Sequence, residues 1–109
     1  MSVSVSIIVP CYNVAAYLDQ CMESLTGQSM EDIEIICVND GSSDRTAEIL
    51  REWRNRDRRV RIIDQKNSGV SAARNSGMAA AAGTYIGFVD PDDMVERNMF
   101  QRLFDAAAE

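Results

Sequence analysis

Residues 85–93 read Tyr85-Ile86-Gly87-Phe88-Val89-Asp90-Pro91-Asp92-Asp93. An apolar, aromatic and β-branched run gives way to three carboxylates within four positions. The apolar part is expected to form a short buried strand, which puts the acids at its carboxyl end. Two carboxylates about 5 Å apart, at an effective dielectric of about 20, repel by roughly 3 kcal/mol. Three in one turn must therefore hold a proton or share a cation. Carboxylates suit hard cations such as Mg2+, Mn2+ or Ca2+, and an ion held by one or two of them keeps positions that phosphates commonly fill. A purely structural reading makes the group an acidic N-cap for the next helix, which accounts for one or two acids and hardly for three. Asp90, Asp92 and Asp93 are thus candidate metal ligands, and spacing does not rank Asp92 against Asp93.

The same grammar, an apolar strand running into polar turn residues, recurs upstream. Residues 3–10 (VSVSIIVP) read as a buried strand ended by Pro10, which cannot donate to a central ladder. Residues 33–38 (IEIICV) are a second strand, 60–63 a short third and 85–89 the fourth. Between them lie helical patterns. Asn13 is a fair N-cap for a helix whose Leu18, Cys21, Met22 and Leu25 recur at i, i+3, i+4 and i+7, with Gly27 as its stop. A helix over 46–56 buries Ala47, Leu50 and Trp53. An Ala-rich helix spans 70–82, with Gly83 as its C′ stop. Phe100, Leu103, Phe104 and Ala107 mark a last amphipathic helix. The order β-α-β-α-β-α-β-α predicts an α/β fold: a Rossmann-like parallel sheet of about four strands with helices on both faces. Ligands of such sheets bind beyond the carboxyl ends of the strands, near the switch point. The loops there are 10–13, 39–44, 64–69 and 90–93, where the polar residues collect.

With 109 residues the chain is one domain at most. Its net charge of −6 and pI near 4.6 argue against generic nucleic-acid binding, and an acidic protein that takes an anionic ligand needs a local neutraliser. The absence of His removes His-based triads and most zinc sites. Cys11, Cys21 and Cys37 are odd in number and far apart, as expected of reduced thiols in a cytosolic setting. Cys21 and Cys37 fall in apolar patterns, and nothing near Cys11 would activate it. The first strand begins almost at once, so no secretory leader is expected, and no apolar run approaches the ~20 residues of a membrane span. The ending Ala106-Ala107-Ala108-Glu109 carries no helix-stop signal and reads as a cut through a longer protein.

Three further constellations stand out. Asn39-Asp40-Gly41-Ser42-Ser43-Asp44 is a loop with a side-chain-closed turn, and Ser43 or Asp44 caps the next helix. Asp40, at the very end of a strand, is placed to accept bonds from a ribose hydroxyl or base N–H. Near Gly69, Arg74 sits early on a helix of small residues, where it could reach a phosphate or pair with Asp40 or Asp90. The run Arg51, Arg54, Arg56, Arg58, Arg59, Arg61 reads as a solvated helix end.

On these residues the chain resembles the N-terminal, nucleotide-sugar-binding part of a glycosyltransferase family 2 enzyme with the GT-A fold. The matching segments are VSIIVPCYNVAAYLDQCMESLTGQS, IEIICVNDGSSDRTAEIL, NSGVSAARNSGMAAAAGTYIGFVDPDD and the helix after it, nearly the entire chain. The resemblance implies transfer of a sugar from a nucleotide-sugar donor to an acceptor hydroxyl, with inversion. By the same resemblance Pro10, Tyr12 and Asn13 fall on a donor-binding loop and Asp40 on the acid that contacts the nucleoside. Arg74 and Asn75 fall on an ARN segment near the nucleotide. Asp90 and Asp92 fall on the DxD motif that holds Mn2+ or Mg2+ against the donor diphosphate, with Asp93 beside it. Asn39 and Pro91 depart from the commoner residues at their positions. The family's general base lies beyond the DxD, and Glu96, Asp105 and Glu109 are poor candidates for it. The whole of 1–109 is thus expected to be the donor-binding part of a truncated GT-A domain, inactive alone. The implied setting is surface polysaccharide or cell-envelope glycan synthesis with a glycan or lipid-linked acceptor. The expected location is cytoplasmic, or the inner face of the membrane for the full-length protein.

A rival of another class is a metal-dependent adhesion module using Asp40-x-Ser42-x-Asp44, close to the DxSxS motif of von Willebrand type A domains. There the motif follows the first strand and ends in Ser. A sugar-1-phosphate nucleotidyltransferase would need a Gly-rich basic loop after the first strand, and a phosphoacceptor or phosphatase an acidic nucleophile there; this chain has Pro10-Cys11-Tyr12. If the strand order is 3-2-1-4, the fourth strand is an unpaired edge, and self-association through it is expected.

Overall fold

A computed structural model describes residues 2–108. Four parallel strands, β1 (Val5–Cys11), β2 (Ile33–Asp40), β3 (Val60–Gln65) and β4 (Tyr85–Phe88), form one sheet in the order β3-β2-β1-β4. The helices are α1 (Ala15–Thr26), α2 (Thr46–Arg56), α3 (Val70–Ala80) and α4 (Met99–Ala108). The chain steps outward from β1 to β3, then crosses back to set β4 on the other side of β1. The strand order therefore reverses between β1 and β4, and the crevice of an open sheet forms at such a reversal.

The pleat of the central strands sorts the core. Val5, Ile7, Val9 and Cys11 of β1, with Ile33, Ile35 and Cys37 of β2, face a large cluster built with Leu18, Met22 and Leu25 of α1, Ile49, Leu50 and Trp53 of α2, and Phe100 of α4. Ile8, Ile36 and Val38 face the other way, onto Ala73 of α3. Both central strands are buried along their whole length, which is why they are apolar except for the internally bonded Ser6, Glu34, Asn39 and Asp40. The small residues of α3 let it lie close on the sheet. A Cβ at Gly77 would come within 2.4 Å of Ile8 Cγ2.

Four expectations are corrected. Pro10 lies inside β1, paired with Val38, and does not end the strand. Ile8, of the same parity, takes the Val89 amide on its carbonyl and so faces β4. The β1–β4 ladder stops at Ile8 and Phe88, so the missing Pro10 N–H faces no ladder. β4 is not buried: Tyr85, Ile86 and Phe88 are 37%, 43% and 47% exposed, because α3 lies over β1 and β2 and β4 has one neighbour. Gly83 is not a C′ residue, since α3 ends at Ala80; its backbone instead lies against Ser6, where a Cβ would meet the amide nitrogen at 2.6 Å. Asn13 does not cap α1, whose N-cap is Val14 without a side-chain bond.

Candidate functional site

The carboxyl ends of the strands carry the candidate residues, and each loop is held by a different device. At the end of β2, Asp40 is 4% exposed. Its Oδ1 accepts from Gln65 Nε2 at 2.9 Å and the Ser68 amide at 2.8 Å, and its Oδ2 from the Gly69 amide at 3.0 Å. The Gln65 bond, with the two amides, holds this carboxyl below its ordinary value although burial pushes the other way. Asp40 therefore organises the β3–α3 turn. A carboxylate offers about four acceptor sites, of which these bonds fill three. Asn39, beside it, takes the Ser42 amide on Oδ1 at 3.2 Å and donates through Nδ2 to Asp64 at 3.0 Å. Gly41, at φ 71°, passes so near the next loop that a Cβ would sit 2.7 Å from the Asn67 amide nitrogen.

Asp44 shares its carboxylate between two helices. Oδ1 accepts from the Thr46 amide at 2.9 Å, and Oδ2 from the Ala15 amide at 3.2 Å. Ser42 Oγ accepts from the Asn13 amide at 3.1 Å. All three polar groups of the Asp40-x-Ser42-x-Asp44 motif thus serve the scaffold, and the motif presents no convergent ligand set.

The turn after β4 is different. The Asp93 amide closes it on the Asp90 carbonyl at 3.0 Å. No helix follows directly, since α4 starts only at Met99, so the acids do not serve as its N-cap. Asp90, Asp92 and Asp93 are all exposed, and one oxygen from each can be chosen so that the set lies within 4.8 Å. This is the one such group among the described residues. Its all-oxygen donor set and open side fit a hard divalent cation. Arg74, reaching over from α3, stands 3.6 Å from Asp90 Oδ1 with both side chains about half exposed. Of its two expected partners, Asp90 is the observed one. Beneath the turn, Cys21 Sγ lies 3.8 Å from the Asp90 carbonyl oxygen. Its thiol is pushed up to about 12, first by burial and then by Cys11 and the nearby Asp carboxylates. The hydrogen bond with Cys11 and then burial push the Cys37 thiol up as well. These protonated thiols are packing groups.

A cleft of about 320 Å³ runs beside the acids, lined by Arg74, Asp90 and Asp93 on its polar side and by Phe88, Met94 and Met99 among its apolar walls. The apolar wall escaped the sequence reading, because Met94 and Met99 carry no motif. On the other flank of the reversal, Tyr12 is 51% exposed, Asn75 is exposed on α3, and Pro10 is buried in β1. The structure thus brings Arg74 to Asp90–Asp93, and Asn13 to the 42–44 turn. It leaves Asp40 bonded to the β3–α3 turn.

Comparison with known proteins agrees with this architecture. The pattern of the family described as "Glycosyl transferase family 2" matches residues 6–109. An uncharacterised glycosyltransferase of Bacillus subtilis (strain 168), EpsJ, is 56% identical over 103 residues, covering 94% of this chain and 30% of the relative. A chondroitin synthase of Pasteurella multocida (strain Pm70) is 40% identical over 92 residues, covering 84% of this chain and 10% of the relative. The crystal structure of S. aureus TarS 1-349 in complex with UDP-GlcNAc superposes with a TM-score of 0.84 at 33% identity, over 96% of this chain and 30% of that one. The chain thus spans less than a third of the length of these relatives. The sheet order, the acidic turn after β4 and the match over residues 6–109 lead to one assignment: this chain belongs to glycosyl transferase family 2 and has the GT-A type of α/β fold.

Proposed function

We propose that residues 1–109 form the donor-binding part of an enzyme that transfers a sugar from a nucleoside-diphosphate sugar to an acceptor hydroxyl, with inversion. The observation that carries this reading is the exposed Asp90, Asp92, Asp93 set, free of helix capping and flanked by Arg74. These three carboxylates would hold Mn2+ or Mg2+, and such an ion, when bound, offsets the charge of a diphosphate leaving group. Arg74 adds positive charge on the same side. Tyr12, Asn75 and the remaining acceptor site of Asp40 are the donor contacts at the nucleoside end, with Pro10 and Asn13 shaping their loop. The general base, which must reach the acceptor hydroxyl, is contributed from outside these residues, so the 109-residue stretch alone binds donor without turnover.

Surface polysaccharide or cell-envelope glycan synthesis is the proposed setting, supported by the chondroitin synthase relative. The acceptor is a glycan or a lipid-linked glycan, met in the cytoplasm or at the inner face of the membrane. Among the described residues no helix is long and apolar enough to cross a membrane. The adhesion reading gains no support, since its motif is consumed in loop bonds. Thermal-shift titration with UDP, GDP, TDP and CDP, each with and without Mn2+, tests the proposal. Stabilisation should need the metal, follow mass action and vanish in Asp92→Ala. Equal stabilisation in Asp92→Ala would overturn it.

A further inference from the structure

The β1–α1 and β2–α2 turns are laced together by side chains that cross between them. Asn13 lies in the left-handed region at φ 52°, the one non-glycine residue there among the described residues. Asn is among the few side chains that tolerate it. Its Oδ1 accepts from the amides of Ser43 at 2.8 Å and Asp44 at 3.3 Å, while its own amide donates to Ser42 Oγ. The lacing is reciprocal. The Val14 amide donates to Thr46 Oγ1 at 3.0 Å, and the Ala15 amide to Asp44 Oδ2. The opening amides of α1, which has no side-chain cap of its own, are thus satisfied from the α2 side. Tyr12, which is exposed, directly precedes Asn13 in this clasp.

We propose that Asn13 is a positioning residue: its Oδ1 holds the Tyr12 turn and the 42–44 turn as one wall of the crevice, and so sets affinity at the nucleoside end without itself touching the donor. This rests on the donor-binding reading above. Among the described residues no hydrogen bond runs directly from the clasp to Asp90–Asp93; the link between them is Cys21, further along α1, on the Asp90 carbonyl, so the metal–diphosphate end is not held by Asn13 itself. Asn13 is also exposed and outside both core clusters, so its loss leaves the core intact. A wall fixed in advance spares the ligand the entropy of ordering it.

The test is calorimetric titration of the native chain, Asn13→Gly and Asn13→Asp with UDP, GDP, TDP and CDP in Mn2+, and separately with pyrophosphate in Mn2+. Gly accepts the backbone angle and removes the acceptor; Asp keeps an acceptor. In Asn13→Gly the nucleotide Kd should rise about tenfold, as when the competent wall falls to about a tenth of the population. Pyrophosphate affinity should stay native, and Asn13→Asp should recover nucleotide binding. Native nucleotide affinity in Asn13→Gly overturns the inference, as does equal loss of nucleotide and pyrophosphate, or an Asn13→Asp no better than Gly. A native chain that binds none of the nucleotides defeats the donor-site reading and this inference together. Native binding with an indifferent Asn13→Gly defeats this inference alone.

Discussion

Replacing Asp40 by Asn is close to isosteric, yet it should destabilise the chain about as much as replacing it by Ala. The carboxylate serves three donors: Gln65 Nε2 and the Ser68 amide on Oδ1, and the Gly69 amide on Oδ2. Asn keeps one carbonyl oxygen for the first two, but sets an NH2 group against the Gly69 amide. It also exchanges charge-assisted bonds for neutral ones, which are roughly half as strong. The lost bond, the facing donors and the two weakened bonds add to about 3 kcal/mol. Ala removes all three bonds but admits water to the part-buried amides of Ser68 and Gly69, both exposed residues, which brings its cost back to about the same figure. For a chain of this size, about 3 kcal/mol corresponds to a fall of about 13 °C in Tm. The pH dependence gives a second reading. The folded carboxyl lies below its ordinary 3.8, so its contribution is fully present above that value and is lost as pH falls through the depressed native one. The stability gap between native and Asp40→Asn, measured by urea unfolding, should be flat above about pH 4 and narrow below it. An Asp40→Asn of native stability, or a gap that widens in acid, would refute this account of the β3–α3 turn.

Glu34, 5% exposed, accepts from Ser6 Oγ at 2.5 Å, the Ala82 amide at 2.6 Å and Arg61 Nη1 at 2.7 Å. Burial raises its carboxyl, but these donors outweigh burial and leave it below its ordinary 4.5. Glu34→Gln should cost about 1–3 kcal/mol in chemical denaturation, and that difference should shrink as pH falls through the depressed native value. Arg74→Ala should leave Tm nearly native, because an ion pair this exposed contributes about 0–1 kcal/mol. The same variant should weaken Mn2+-dependent nucleotide binding in calorimetry. Gly77→Ala should lower stability by about 1–3 kcal/mol despite the better helix propensity of Ala, because the new methyl overlaps Ile8; a gain in Tm would show that α3 stands off the sheet.

The sequence by itself determined the element order, the fold class and the acidic turn. The runs 33–40 and 5–11 are buried on both faces, so every position had to be apolar or internally bonded, and that constraint is written in consecutive residues. Leu18, Cys21, Met22 and Leu25 likewise had to share one stripe of α1. Three acids in one turn are visible without knowing what surrounds them. The partners of the polar loop residues were decided only by the tertiary structure. Asn13 bonds a turn 30 residues away, Asp40 one 28 residues away, and Cys21 meets Asp90 across 69 positions. Asn and Asp side chains satisfy any nearby amide, so composition cannot say which. Pro10 shows the same limit from the other side. Whether a proline ends a strand depends on whether a neighbour lies opposite its missing N–H; here the strand on that side, β4, begins 75 residues later and its pairing stops at Ile8, short of Pro10.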